Sequence, residues 1–219
     1  SIIGGADASK FQINSSTGAL SFITAPDFES PTDVGGDNVY NVTVQVSDGA
    51  GGTTSQAITV TVTPVNDNLP VITSSATANV PENTTAVLTV TATDADLPAQ
   101  TLSYSIIGGA DASKFQINSS TGALSFITAP DFESPTDVGG DNVYNVTVQV
   151  SDGAGGTASQ AITVTVTPVN DNLPVITSSA TASVAENTTA VLTVTATDAD
   201  LPAQTLSYSI SGGADAGKF

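Results

Sequence analysis

Residues 1–78 recur as residues 105–182 with one difference, Thr54 against Ala158. Over the whole overlap of 1–115 with 105–219, only four further pairs differ: Asn79/Ser183, Pro81/Ala185, Ile107/Ser211 and Ser113/Gly217. A chain that repeats itself this closely after 104 residues builds the same fold each time round. That period is too long for one coil of a solenoid and suits a small all-β domain. The chain therefore reads as an array of near-identical beads. Identical copies in series serve stalks, rulers and fibres more than they serve enzymes.

The tripeptides Val65-Asn66-Asp67 and Val169-Asn170-Asp171 stand one period apart, and each runs into Asn-Leu-Pro. Proline in such a run interrupts strand pairing and marks a joint. Joints placed there predict three segments: 1–70 as the C-terminal part of one bead, 71–174 as a complete bead, and 175–219 as the N-terminal part of a third. Both ends then fall inside a bead, so the sequence reads as a segment of a longer protein whose targeting information lies outside it. No apolar run is long enough to span a membrane, and no membrane insertion is expected of this segment.

Charge narrows the partners. The chain has 21 acidic residues and 3 lysines, a formal net charge of −18, and no histidine, cysteine, methionine or tryptophan. Lys10, Lys114 and Lys218 are one repeat position seen three times. Such a charge excludes nucleic acid and anionic membrane as partners held by basic patches. It favours cations. Without histidine or cysteine, zinc, copper and haem sites are excluded, whereas oxygen ligands suit calcium. The absence of cysteine removes disulfides and neither requires nor excludes an oxidising compartment.

Alternation of apolar and polar residues marks the strands. Along 86–93, Leu88, Val90 and Ala92 point one way and threonines the other. Along 143–150 the inward set is Tyr144, Val146, Val148 and Val150, and along 161–167 it is Ile162, Val164 and Val166. Shorter strands fit 71–80, 102–107, 115–118 and 123–127. Ser119-Ser120-Thr121-Gly122 predicts a tight turn with Gly122 at positive φ. Asp111 predicts a cap on a single helical turn over 112–114, as do Asp7 and Asp215 at the equivalent positions. Seven strands in about 100 residues predict an all-β fold: tandem seven-stranded antiparallel Greek-key β-sandwiches of the immunoglobulin-like kind.

The carboxylates gather at bead ends. Alternate strand ends of a sandwich return to the same pole. Glu82, Asp131 and Glu133 are thus predicted at one pole of the second bead, Asp198 and Asp200 at the facing pole of the third, and Asp171 between them. Asp152 ends a later strand of the second bead and faces the preceding joint. Two carboxylates ~4–5 Å apart repel by roughly 3–4 kcal/mol at an effective dielectric near 20. Six converging would exceed a domain's net stability of ~5–15 kcal/mol. Either the joint is splayed, or divalent cations hold it. Calcium takes ~6–8 oxygens per ion, which carboxylates, asparagine side chains, main-chain carbonyls and water can supply together.

These motifs resemble those of cadherin-like calcium-binding repeats, and the match runs the length of the bead. Pro81-Glu82-Asn83 is similar to the family's P-E-N. Phe115-Gln116-Ile117-Asn118 followed by Thr121-Gly122-Ala123-Leu124 is similar to its F-x-I-D-x-x-T-G-x-I. Asp131-Phe132-Glu133 resembles its D-x-E, and Asp152 the aspartate ending its sixth strand. Val169-Asn170-Asp171-Asn172-Leu173-Pro174 resembles its linker, and Asp198-Ala199-Asp200 its D-x-D. The resemblance implies about three calcium ions at each joint, stiffening the array. It implies Asp27, Glu29, Asn66, Asp67, Asn68, Asp94, Asp96 and Asp152 as ligands at the first joint. At the second it implies Glu82, Asp131, Glu133, Asn170, Asp171, Asn172, Asp198 and Asp200. Glu186, one period after Glu82, joins the set. Where the family has an asparagine after D-x-D, this chain has Leu-Pro-Ala-Gln, which argues against a carbonyl ligand near Gln100 or Gln204. Pro64 and Pro168 replace the polar residue often found before the linker. No tryptophan is present for strand exchange of the vertebrate kind. Uniform repeats, abundant threonine and absent cysteine are more similar to bacterial giant surface proteins with such repeats.

Other acidic residues read differently. Asp33, Asp37, Asp137 and Asp141 fall in a glycine-rich loop and read as solvating charges. Asp131 and Glu133 lack the spacing and the sugar platform of a glycosidase pair. No convergent acid–base or nucleophile set is present, so no enzyme is expected. The expected role is a calcium-stiffened segment of a long extracellular, cell-surface adhesin or stalk that holds a distal domain away. The alternative is a subunit of a self-assembling extracellular fibre, with residues 184–197 of one copy pairing with the part-bead of the next. Expected partners are calcium ions and neighbouring repeats or copies of the chain itself.

Overall fold

The computed structural model describes residues 1–219: sixteen short strands, three single-turn 3-10 helices and no α-helix. The chain divides into two compact units. One comprises residues 1–73, 91–103 and 150–158, and the other residues 74–90, 104–149 and 159–219.

The second unit carries the fuller sandwich. One sheet has the order Ser103–Gly108, Val143–Ser151, Thr157–Thr167, Thr77–Pro81. The other has the order Phe115–Ile117, Ala123–Phe126, Ala86–Thr89. Tyr144, Val146, Val148, Ile162, Val164 and Val166 are all buried, as their alternation predicts. So are Val80, Val90, Leu124 and Phe126. Burying one such side chain contributes ~1.5–3 kcal/mol, and without disulfides this is the main force holding the sandwich. The Phe115 and Phe126 rings stack at 4.5 Å, and Tyr144 meets Phe126 edge-on at 5.1 Å. The Tyr144 hydroxyl accepts the Thr136 N–H at 3.2 Å, which satisfies its polar end inside the core.

One pairing is parallel: Thr77–Pro81 runs beside Thr157–Thr167 with Thr77 opposite Thr163 and Val80 opposite Val166. The stretch read as one strand over 71–80 is two. Val71–Ile72 pairs antiparallel with Ala92–Thr93. The chain then turns at Ser75, whose Oγ accepts the Thr77 N–H at 3.1 Å. The stretch 86–93 is also two strands, because its partner changes after Val90: Val90 still donates its N–H to the Gly122 carbonyl at 2.8 Å, one rung on from Thr89 opposite Ala123, and the Thr91 carbonyl then accepts the Thr73 N–H at 2.8 Å. Gly122 has φ +72° in the predicted turn, and Asn118 Oδ1 accepts the Ser120 and Thr121 N–H groups there. Val175–Ile176 pairs with Ala196–Thr197, and no strand forms between them.

The first unit repeats part of this plan. Ile2–Gly4, Val39–Ser47 and Thr53–Thr61 form one sheet in that order, and Phe11–Ile13 pairs with Leu20–Phe22. Phe11, Tyr40 and Val42 are its buried core, with Leu20, Phe22, Ile58 and Val60 packed against them and only partly covered.

Asp111 stands at the start of the Ala112–Lys114 turn as predicted, but its side chain does not cap it. The carboxylate is buried and accepts the Val138 N–H at 2.7 Å and the Asn145 N–H at 2.8 Å. Asp7 does the same with Val34 and Asn41. The glycine-rich loops also differ from expectation. Asp33 and Asp137 are buried, not solvating, because each folds its carboxylate onto its own loop. Asp137 accepts the Asp141 and Asn142 N–H groups at 3.1 and 3.0 Å, and Asp33 accepts those of Asp37 and Asn38.

Candidate metal centres

Each centre is built on the linker. In the first unit Asp96, 1% exposed, accepts the Asn68 N–H at 3.1 Å and the Asn68 side-chain amide at 2.8 Å. Asp94 accepts the Asp96 N–H, which fixes the D-x-D turn. Glu29 reaches the Leu97 N–H at 3.1 Å, and Asp27 accepts the Glu29 N–H. Asp152 accepts the Ala154, Gly155 and Gly156 N–H groups. A Cβ on Gly156 would overlap the Asp152 carboxylate, so the glycine is required for that cradle. Asn66 lies beside Asp152 and helps to lower its pKa below the ordinary aspartate value.

The second unit repeats the arrangement. Asp200, 1% exposed, accepts the Asn172 N–H at 3.0 Å and the Asn172 amide at 2.9 Å. Asp198 accepts the Asp200 N–H, and Glu133 accepts the Leu201 N–H at 2.9 Å. Asp131 accepts the Glu133 and Ser134 N–H groups. Glu82, 2% exposed, holds two strands' ends together by accepting the Val169 N–H at 2.6 Å and the Phe132 N–H at 2.7 Å.

The carboxylates converge in four groups, each with one oxygen per residue within 4.8 Å of the others. Glu29, Asp67 and Asp96 form one, and Asp94, Asp96 and Asp152 a second that shares Asp96. Glu82, Asp131 and Glu133 form the third, and Glu133, Asp171 and Asp200 a fourth that shares Glu133. Each unit therefore holds a pair of linked groups that draws on two successive sequence repeats. Two oxygens bound to one calcium at ~2.4 Å can be no more than about 4.8 Å apart, so the spacing suits that ion.

A second observation points the same way. Asp94 Oδ2, Asp96 Oδ2 and Glu133 Oε2 are buried with no hydrogen-bond partner. Leaving a charged oxygen dry and unpaired is costly unless a cation meets it. The donor set is all oxygen and without histidine or cysteine, so it fits a hard cation and not a soft one.

Three of these carboxyls are held in the charged form. The Asn172 side-chain hydrogen bond lowers the Asp200 pKa below the ordinary aspartate value, against burial, and Asn68 does the same for Asp96. For Asp152 the Ala154 N–H is the main cause. Ionised carboxylates are what a metal needs as ligands.

Not every predicted ligand joins a group. Asp27 and Asp198 brace the backbone beside one, and Asn170 donates to Gln204 Oε1 at 2.8 Å. Glu186 is exposed and meets none of the other carboxylates. Two side chains escaped the sequence reading. Asn83 donates to Asp171 Oδ2 at 2.6 Å, and Gln100 Oε1 is buried without a partner. Asn83 lies within Pro81-Glu82-Asn83 and was legible there. Gln100 was passed over because Leu-Pro-Ala-Gln departs from the family pattern.

Comparison with known proteins bears on the family and the fold. Residues 76–167 match the Cadherin domain family. The chain is 36% identical over 184 residues to human Protocadherin Fat 1, covering 80% of this chain and 4% of that protein. It is 35% identical over 184 residues to mouse Cadherin-related family member 2, covering 80% of this chain and 14% of that protein. Among solved structures, mouse Cadherin-23 EC22-24 superposes with a TM-score of 0.64 at 28% identity, over 91% of this chain and 64% of that one. Extracellular cadherin domains 3-6 of Protocadherin Gamma B2 give 0.63 at 27%, over 91% of this chain and 50% of that one. Sequence and topology coincide, and residues 76–167 are a domain of the cadherin family.

Proposed function

We propose that the chain is a calcium-stiffened run of extracellular repeats that spaces a distal domain from a cell surface. The observation that carries this reading is the pair of linked carboxylate groups in each unit, with oxygens buried and unpartnered. Glu29, Asp67, Asp94, Asp96 and Asp152 would hold ions at the first centre, and Glu82, Asp131, Glu133, Asp171 and Asp200 at the second. The ions supply charge neutralisation. Asn68 and Asn172 of the linkers orient Asp96 and Asp200 of the D-x-D turns, which clamp the linker backbone in return, and Asn83 orients the linker carboxylate of Asp171. Because each centre draws on two successive repeats, bound calcium ties the repeats together. Near-identity of the repeats, abundant threonine and absent cysteine favour a bacterial surface protein as the setting.

Calorimetric titration with calcium tests the site. Asp171→Ala is expected to weaken binding at the second centre by about tenfold or more. Asp141→Ala, in the glycine-rich loop, is expected to bind as the parent does. Equal behaviour of the two variants contradicts the assignment.

A further inference from the structure

The glycine-rich loop before Val143–Ser151 ends on a residue that opposes folding in two ways. Asn142 is buried and has φ +63°, in the left-handed region that glycine occupies freely. Its side-chain Oδ1 is buried without a hydrogen-bond partner. A dry, unpaired amide oxygen is destabilising. Asn38, one period earlier, repeats both features: it is buried at φ +62°, and its Oδ1 has no partner. The main-chain bonds at this position need no side chain. The Asn142 N–H donates to Asp137 at 3.0 Å, and the Asn142 carbonyl accepts the Val166 N–H at 2.9 Å. Glycine would keep both bonds and carry neither cost.

What asparagine adds is one further bond. Asn142 Nδ2 donates to the Phe132 carbonyl at 2.9 Å, and Asn38 Nδ2 donates to the Phe28 carbonyl at 2.9 Å. These phenylalanines are the middle residues of Asp131-Phe132-Glu133 and Asp27-Phe28-Glu29. The carbonyl fixes the amide's orientation, since an amide turned over would set Oδ1 against another acceptor. Phe132 is held on its other side as well, because its N–H donates to Glu82 Oε2 at 2.7 Å. That N–H lies in the peptide joining Phe132 to Asp131, and the carbonyl lies in the peptide joining it to Glu133. Each peptide is planar, so pinning both fixes how the two acidic residues stand relative to one another. Glu133 belongs to both linked carboxylate groups of its unit, and its Oε2 is buried without a partner. Its direction therefore matters to both groups.

We infer that Asn142 and Asn38 are positioning residues for metal binding, each locking a D-x-E turn from behind so that its carboxylates are aimed before a cation arrives. The inference rests on the calcium reading above. Each asparagine acts through the phenylalanine carbonyl and not as a ligand. Asp137 and Asp33 anchor the asparagines in turn by accepting their main-chain N–H groups. A held set of ligands binds more tightly than a loose one, because binding need not order it. The glycine-rich loop, which holds no ligand itself, thereby sets the affinity of the centre in front of it.

The test compares calcium affinity with the stability of the calcium-free chain. In calorimetric titration, Asn142→Gly is expected to weaken calcium binding at the second centre by about tenfold. Its melting temperature in chelator is expected to stay at or above the parent's. Asn142→Asp exchanges the donor for an acceptor facing the Phe132 carbonyl, and is expected to lose at least as much affinity. Asn38→Gly should weaken the first centre by a similar factor and leave the second as it is. Asp141→Ala, one residue away, serves as the control that binds as the parent does. Parent-like affinity in either Asn142 variant overturns the inference. So does an Asn142→Gly chain that melts well below the parent in chelator, because the side chain then serves the fold. The parent's own titration separates the two readings. If it binds calcium and the Asn142 variants bind equally well, this inference fails alone; if it binds none, the calcium reading fails and this one with it.

Discussion

Asp111 and Asp137 lie in stretches that look solvent-facing, yet both are buried because main-chain N–H groups need their oxygens. Asp111 bridges two segments distant in sequence. Replacing it with alanine leaves the Val138 and Asn145 N–H groups without a partner and is expected to cost about 2–3 kcal/mol. Thermal melting checks this, with calcium affinity unchanged. For Asp137, burial raises the pKa, but the Asp141 and Asn142 N–H groups outweigh it and hold the carboxyl below its ordinary value. The unfolded carboxyl takes its proton near pH 4 and the folded one at lower pH. The stabilisation is therefore complete above about pH 4–5 and is lost as pH falls through the folded value. The gap in melting temperature between the parent and Asp137→Asn should hold from pH 7 to about pH 5 and close below pH 4. A gap that widens on acidification contradicts the assignment. Sequence could not reveal these two roles: the stretch at Asp111 reads as the cap of a helical turn, and a glycine-rich acidic loop such as that of Asp137 reads alike whether its carboxylates face water or its own backbone. The carboxylates proposed as metal ligands were legible because they recur in ordered motifs at bead ends.

Among the elements, the long strands were readable from alternation alone: Tyr144, Val146, Val148, Ile162, Val164 and Val166 all face inward as their period demands. Partner choice was not readable. A period of two shows which side is buried but not which strand lies alongside, so the parallel seat of Thr77–Pro81 and the change of partner after Val90 came only with the structure. The turn glycines expose the effect of a neighbouring strand. Gly122 and Gly18 occupy the same turn at φ +72° and +77°. A Cβ on Gly122 would overlap the Val90 carbonyl, whereas one on Gly18 meets nothing. Both alanine variants carry the left-handed penalty of about 1–2 kcal/mol. Gly122→Ala should cost roughly a further 1–3 kcal/mol from overpacking. Chemical denaturation of the two variants measures the difference, and equal losses contradict the seat of Val90 against this turn.

On the scale of the whole molecule, the proposed calcium sites place the cation at the joints of the repeats and not in their cores. Val80, Val146 and Val164 lie in the apolar interior, while Glu133, Asp171 and Asp200 lie beside the linker. Removing calcium should therefore loosen the joints before it melts the sandwiches. Small-angle scattering with and without a chelator, at a concentration where the chain is monomeric, tests this most directly. The account predicts a smaller mean dimension and a broader distance distribution on chelation, with the β-sheet circular dichroism retained. A maximum dimension that does not change when calcium is removed would contradict it.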